Sequence, residues 1–157
     1  MALTVEYQDA RHAEDRARLR RIFALRAMRA SGMSQRQIAE AVGVSQSAVS
    51  QQFKSAPDLS GLHPQVVLEA ATPVLKALAA EHGYTRLAVF GSVARHEARA
   101  DSDIDLLVEV PEGTSSFSFI RFQQLIESVL GRKVDLVSWG GLKAKLDDDI
   151  RGEAVAI

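Results

Sequence analysis

The chain has 157 residues, with 19 Lys and Arg against 20 Asp and Glu, no Cys, 46% hydrophobic and 25% charged residues. The missing Cys excludes a disulfide-stapled scaffold, a Cys-based zinc finger and a thiol nucleophile, and the apolar content with a net charge of −1 excludes a disordered chain. No apolar run approaches the ~20 residues that span a bilayer, and Met1 to Arg21 carries charge where a signal peptide needs an apolar stretch, so a soluble cytoplasmic protein is expected.

The first nine residues show no clear period and read as an arm. Ala10 to Ala30 lacks Gly and Pro and is rich in Ala, Leu and Arg, which predicts a helix. Leu19, Ile22 and Phe23 start its apolar stripe, Leu25 and Met28 widen it, and Ser31-Gly32 ends it. Ser34 can cap a second helix through Val42, Gly43 can take the positive φ of a tight turn, and Ser45 can cap a third. Ile38, Ala39 and Val42 are expected to meet Val44, Ala48 and Val49.

Gln35, Ala39, Gly43 and Val49 stand at the key places of a pattern that resembles the helix-turn-helix of bacterial repressors. Gln46, Ser47, Ser50, Gln51 and Lys54 are left outward on the last helix, and with Gln35 they form the candidate DNA-binding set. Gln can pair bidentately with adenine, Ser with several base edges, and Lys54 and the Arg residues of the first helix with phosphates.

Ser55 to Pro64 reads as a linker, giving a division into 1–56, a linker at 57–64, and 65–157. A short helix is predicted over Gln65–Ala71, with a restart at Thr72-Pro73 that carries Val74, Leu75, Leu78 and Ala79 inward and ends at Gly83.

The net charge conceals an asymmetry: residues 1–60 hold nine Lys and Arg against six acids, the remainder ten against fourteen. The basic part suits a polyanion and the acidic part a metal. Thr85–Phe90 reads as a strand, Gly91-Ser92 as a turn into a short helix through about Ala98, and Asp101–Val110 as a second strand. Strand alternation puts Asp103 and Asp105 on one face, roughly 6–7 Å apart at their Cα atoms, and Ile104, Leu106 and Val108 on the other. Two carboxylates on one strand face repel each other, which breaks local rules in a way that marks function. Hard oxygen donors suit Mg²⁺ or Mn²⁺, and magnesium favours a few carboxylates plus substrate phosphates. Gly91-Ser92 supplies a turn that phosphate can approach. Nucleotide plus divalent metal is the economical inference.

The run Gly91-Ser92-Val93-Ala94-Arg95-His96-Glu97-Ala98-Arg99-Ala100-Asp101-Ser102-Asp103-Ile104-Asp105-Leu106-Leu107-Val108 closely resembles the signature of minimal nucleotidyltransferase domains of the polymerase-beta-like superfamily, Gly-Ser followed after about ten residues by Asp-x-Asp. The resemblance implies an α+β architecture: an all-α helix-turn-helix domain, then a small α/β domain with a mixed sheet. It implies that Asp103 and Asp105 hold the metal and that Ser92 contacts triphosphate; Gly91, Arg95 and Ser102 are the further nucleotide-site candidates of the same run.

Phe122, Leu125, Ile126 and Val129 mark a helix ended by Gly131, and Lys133–Val137 the next strand. Asp135 there matches the family's third carboxylate, which orients metal or acts as base. The chain departs from the pattern at His96, where members commonly carry Gly. Small nucleotidyltransferases of this kind resemble antitoxins paired with HEPN-domain toxins. That resemblance implies AMP transfer from ATP to a toxin side chain, and self-repression at operator DNA by a homodimer. A catalytically inactive masking module and a small-molecule nucleotidyltransferase are the alternatives.

Among the remaining candidates, Arg99 is a second possible phosphate contact. Asp147-Asp148-Asp149 reads as the solvated side of a C-terminal helix striped by Leu142, Leu146 and Ile150, and Trp139 as a packing residue. His12, His63 and His82 lack partners at metal-ligand spacing.

Overall fold

In the computed structural model, residues 1–145 and 147–157 are described. The first helix, α1, runs Ala2–Ala30 and so begins at Ala2 rather than Ala10. Nothing in its first two turns breaks a helix. The stripe that would announce one is absent because every side chain from Ala2 to Arg16 is exposed.

Helix α2 (Gln35–Val42) starts in a reciprocal cap: Ser34 Oγ accepts the Gln37 N–H at 3.1 Å, and Gln37 Oε1 accepts the Ser34 N–H at 2.8 Å. Gly43 takes φ 76°, and Ser45 Oγ caps α3 (Gln46–Lys54) by accepting the Ala48 N–H at 3.1 Å. Leu25, Ile38, Ala39 and Val49 are the buried core of this unit. Val42 and Val44, expected in that contact, are instead 45% and 42% exposed. They flank the reversal at Gly43, on the rim, and the helices meet one turn deeper through Ile38 and Val49.

Helix α4 spans Pro64–Glu81 without interruption, so the expected restart at Thr72 does not occur. Pro73 cannot donate to the preceding turn, a defect that usually costs ~3 kcal/mol in a helix. Packing overrides it: Val67, Leu68, Ala70, Ala71, Leu75, Leu78 and Ala79 form one continuous buried face. Thr72 does not cap; its Oγ1 donates to the Leu68 carbonyl at 2.7 Å inside the helix.

Strand β1 (Thr85–Phe90) is followed by α5 (Gly91–Ala94), β2 (Ile104–Glu109), α6 (Ser116–Leu130), β3 (Val134–Ser138), α7 (Asp148–Glu153) and β4 (Val155–Ala156). The sheet order is β3-β2-β1-β4, with β2 and β3 parallel and the other pairs antiparallel, the mixed α+β arrangement expected. The expected helix through Ala98 stops at Ala94, because His96 takes φ 56°, and the second strand starts at Ile104, three residues after Asp101.

One face of the sheet, with Leu87, Val89, Ile104, Leu106, Val108, Val134 and Leu136, joins α4 and α6 in the main core. Ile22, Phe23 and Ala27 of α1 and Leu59 of the linker segment belong to the same core. The other face, with Ala88, Phe90 and Leu107, is covered by Val137, Trp139, Leu142, Ile150 and Ala154. Leu142 and Ile150 therefore pack together, but not on one helix: a 3₁₀ turn at Trp139–Gly141 precedes Leu142, and α7 begins only at Asp148. Leu146 lies outside the described residues.

Candidate active site

The end of the sheet where β1 stops and β2 and β3 begin gathers the chemistry. Phe90 pairs with Asp105, and Asp105 pairs with Asp135, so the two acids sit side by side on adjacent parallel strands. Asp103 precedes β2 and is exposed, as is Asp135, whereas Asp105 is half-buried. Burial, then the charges of Asp135, Asp103 and Glu153, push the Asp105 carboxyl up to about 6, against a smaller opposite pull from Arg95.

Gly91 follows β1 with φ 70°, a conformation natural to glycine. A Cβ there would overlap the Asp105 carboxylate and come within 2.9 Å of its Cγ. The glycine thus serves two needs, the turn and the closeness of backbone to carboxylate. Ser92 is half-buried on the first turn of α5.

Arg95, a nucleotide-site candidate, is held between two carboxylates. Its Nε donates to Glu97 Oε2 at 3.0 Å and its Nη1 to Glu153 Oε2 at 2.8 Å, which strengthens its hold on its proton. Ser102 shapes the approach to Asp103: its Oγ accepts the Arg99 N–H at 2.8 Å, closing the turn that delivers the carboxylate. His96 is exposed. Trp139 packs, as expected, with its Nε1–H donating to the Arg86 carbonyl at 2.8 Å.

Two residues escaped sequence reasoning. Glu153, at the end of α7, accepts the Gly91 N–H at 2.9 Å through Oε1 while Oε2 holds Arg95, and these bonds keep its carboxyl below the ordinary range. Its one signal in sequence is an acid set directly before an apolar tail. Arg132 Nη2 donates to the Leu62 carbonyl at 2.6 Å and Nη1 lies 3.5 Å from the Ser102 carbonyl, bracing the Asp103 turn against the segment before α4.

The donor set fits a divalent metal by its chemistry: hard carboxylate oxygens, one of them pushed toward its protonated form by burial and then by the charge of the others. Among the described residues no three His, Cys, Asp or Glu side chains form a ready-made cage.

Comparison with known families decides the class. The nucleotidyltransferase domain family matches residues 73–157, more than half of the chain. The chain belongs to this family. A helix-turn-helix family matches residues 24–53, the stretch from α1 into α3. Among nucleotidyltransferase relatives, a chain of Methanocaldococcus jannaschii assigned as a protein adenylyltransferase is 42% identical over 77 residues, covering 49% of this chain and 83% of its own. Protein adenylyltransferase MntA of Thermococcus cleftensis is 38% identical over 82 residues, covering 52% and 83%. A solved structure described as a minimal nucleotidyltransferase is 41% identical, with TM-score 0.53 over 66% of this chain and 99% of that one. This chain is therefore a nucleotidyltransferase domain with a helix-turn-helix before it.

In the helix-turn-helix, Gln46, Ser47, Gln51 and Lys54 are exposed on α3, Ser50 is half-buried beside them, and Gln35 is half-buried at the start of α2. Ser47 Oγ lies 3.3 Å from the capping Ser45 Oγ. Among the described residues no helix is long and apolar enough to cross a membrane.

Proposed function

We propose that the chain is a protein adenylyltransferase that moves AMP from ATP onto a side-chain hydroxyl of a HEPN-domain toxin, and that its helix-turn-helix binds the operator of its own operon. The observation that carries this reading is the register pair Asp105–Asp135 beside the Gly91 turn. The names of the relatives support protein as the acceptor class.

Asp103 and Asp105, with Asp135 beside them, would hold a divalent cation, which would supply neutralisation of phosphate charge. Gly91 lets the nucleotide phosphates approach the backbone, and the Ser92 hydroxyl donates to a phosphate oxygen. Asp135, exposed beside Asp105, takes the proton of the acceptor hydroxyl as its oxygen attacks the α-phosphorus. The α–β bridging bond breaks and pyrophosphate leaves. On α3, Gln46 and Gln51 read base edges and Lys54 contacts phosphate.

The test is co-expression with the toxin-type product of the neighbouring reading frame. A toxin that gains the mass of AMP with the parent, and not with Asp103→Asn/Asp105→Asn, supports the reading. Full neutralisation by that variant contradicts it and favours masking by contact. For the DNA function, Gln46→Ala/Gln51→Ala is expected to erase preference for the upstream operator while salt-sensitive binding to random duplex persists. Equal loss on all sequences would contradict direct readout.

A further inference from the structure

A cleft of about 720 Å³ opens where the C-terminal ends of α1 and α4 meet α6. It lies at the other end of the sheet from the carboxylates: Tyr84 precedes β1 and Gly113 follows β2, whereas Asp105 stands opposite Phe90, where β1 stops. The length of β1 puts the two places roughly 20 Å apart. The volume is that of a site for a small organic molecule, and no step of the transfer chemistry uses it.

Tyr84 is the telling residue of its wall. The ring is stacked on Phe122 with centroids 4.0 Å apart, and the residue is only 5% exposed. Its hydroxyl has no hydrogen-bond partner among the described residues. That oxygen is not sealed in the core, because the sealed polar side-chain atom without a partner is Arg132 Nε. A phenol packed so deeply normally finds a partner for its O–H. The cleft is where one can reach it.

The rest of the wall offers donors to an anion. Arg121 forms no ion pair among the described residues, and its guanidinium lies over the Phe117 ring, 5.8 Å from the centroid. His82 brings a ring N–H, its imidazole tilted against Phe122 at 5.6 Å. The cleft reaches the capped start of α6, where Ser115 and Ser118 add hydroxyls and a 15-residue helix adds its positive end. Among the described residues no Asp or Glu lines it. Farther along α6, Gln124 and Ser128 offer both donors and acceptors, as the hydroxyls of a sugar require.

We propose that this cleft binds a sugar phosphate, its phosphate group on Arg121, His82 and the Tyr84 hydroxyl and its sugar hydroxyls on Gln124 and Ser128. One arginine among neutral donors suits a single phosphate group, which the guanidinium fork takes through two parallel hydrogen bonds. Ser31 also lines the cleft, three residues before the Ser34 cap of α2. The bound molecule therefore touches the foot of the helix-turn-helix and the transferase domain together. The proposal rests neither on AMP transfer nor on DNA binding, and its test uses neither.

The experiment titrates the primary phosphate ester of ribose into the isotope-labelled chain, in buffer with EDTA and no nucleotide, and follows the backbone amides by NMR. Saturable shifts are expected at Ser31, His82, Tyr84, Ser118 and Arg121, with the amides of Gly91, Asp103 and Asp105 unmoved. Arg121→Gln is expected to weaken binding at least about tenfold and Tyr84→Phe about fivefold, circular dichroism confirming that both are folded. Inorganic phosphate is expected to move the same amides more weakly, and ribose not at all. Unchanged affinity in either variant overturns the site, as do shifts confined to the Gly91 turn or shifts that never saturate. Inorganic phosphate that binds as tightly as the ester overturns the sugar contacts, and ribose that binds as tightly overturns the phosphate contacts.

Discussion

Glu153 Oε1 accepts the Gly91 N–H at 2.9 Å, across 62 residues of sequence. The other carboxylate oxygen holds Arg95, so the last helix and the strand after it are stapled to the turn that borders the carboxylate end of the sheet. Both partners of Glu153 lie in the motif Gly91–Arg95, and the staple is made by a residue far outside it. Glu153→Ala leaves the Gly91 N–H and one face of Arg95 without a partner. The unpartnered Gly91 N–H is expected to cost about 1–2 kcal/mol. Glu153→Gln, which still offers an oxygen to Gly91, is expected to lose about half as much; urea titration of the three proteins measures this. Equal stability of all three would remove the staple from the account.

Gly91 sets a second expectation. Gly91→Ala meets both the positive φ and the Asp105 carboxylate, and is expected to cost about 2–4 kcal/mol. In the background of Asp105→Ala the same change meets only the backbone conformation, so its cost should fall to about 1–2 kcal/mol. A double-mutant cycle by chemical unfolding reads the difference directly. Additivity of the two changes would contradict the close approach.

Asp105 gives a pH dependence. Its carboxyl stands at about 6 in the folded chain against 3.8 ordinarily, so between those values the folded state binds more proton than the unfolded one. Stability then falls as pH rises through this window and stays low above it. Asp105→Asn removes the titrating group. In metal-free buffer the variant is expected to match the parent near pH 4 and to exceed it by about 1–2 kcal/mol at pH 7.5, a figure reduced for partial solvent screening. Millimolar Mg²⁺ should raise the melting temperature of the parent alone. Parallel stability curves from pH 4 to 8 would contradict the raised Asp105 carboxyl, set first by burial and then by its acidic neighbours.

How much of this was legible in sequence follows from which physical signals are local. Ser34, Gly43, Ser45 and Val49 announce the helix-turn-helix because caps, a positive-φ turn and a plug residue act over a few positions. Asp103 and Asp105 stand out because adjacent like charges oppose a strand. Asp135 needed family resemblance, since its pairing with Asp105 is made by a parallel register across α6. Three features were invisible for stated reasons. The start of α1 has no buried face to give a period. The continuity of α4 through Pro73 is enforced by tertiary packing against local propensity. Glu153 reaches its partners only after β4 joins the sheet, and a strand of two residues leaves almost no pattern.

His96 stands where the expected motif has Gly, and the backbone there suits a glycine. The residue takes φ 56°, a left-handed conformation that costs a non-glycine residue about 1–2 kcal/mol. His96→Gly removes that strain while adding freedom to the unfolded chain. A net gain of about 0.5–1 kcal/mol is expected, with transfer activity unchanged because the imidazole is exposed. A marked rise in activity would instead assign the ring a place in the nucleotide path.

The central claim is that the carboxylates gathered at the Gly91 turn transfer AMP. Its most direct measurement incubates the protein and the product of the neighbouring reading frame, the proposed acceptor, with Mg²⁺ and ATP labelled either at the α- or at the γ-phosphate, alongside Asp105→Asn and Asp135→Asn. Label from the α-phosphate alone should appear on the acceptor with the parent and fall by at least about 100-fold with either variant. Label from the γ-phosphate, or α-label that persists undiminished in both variants, would contradict the account.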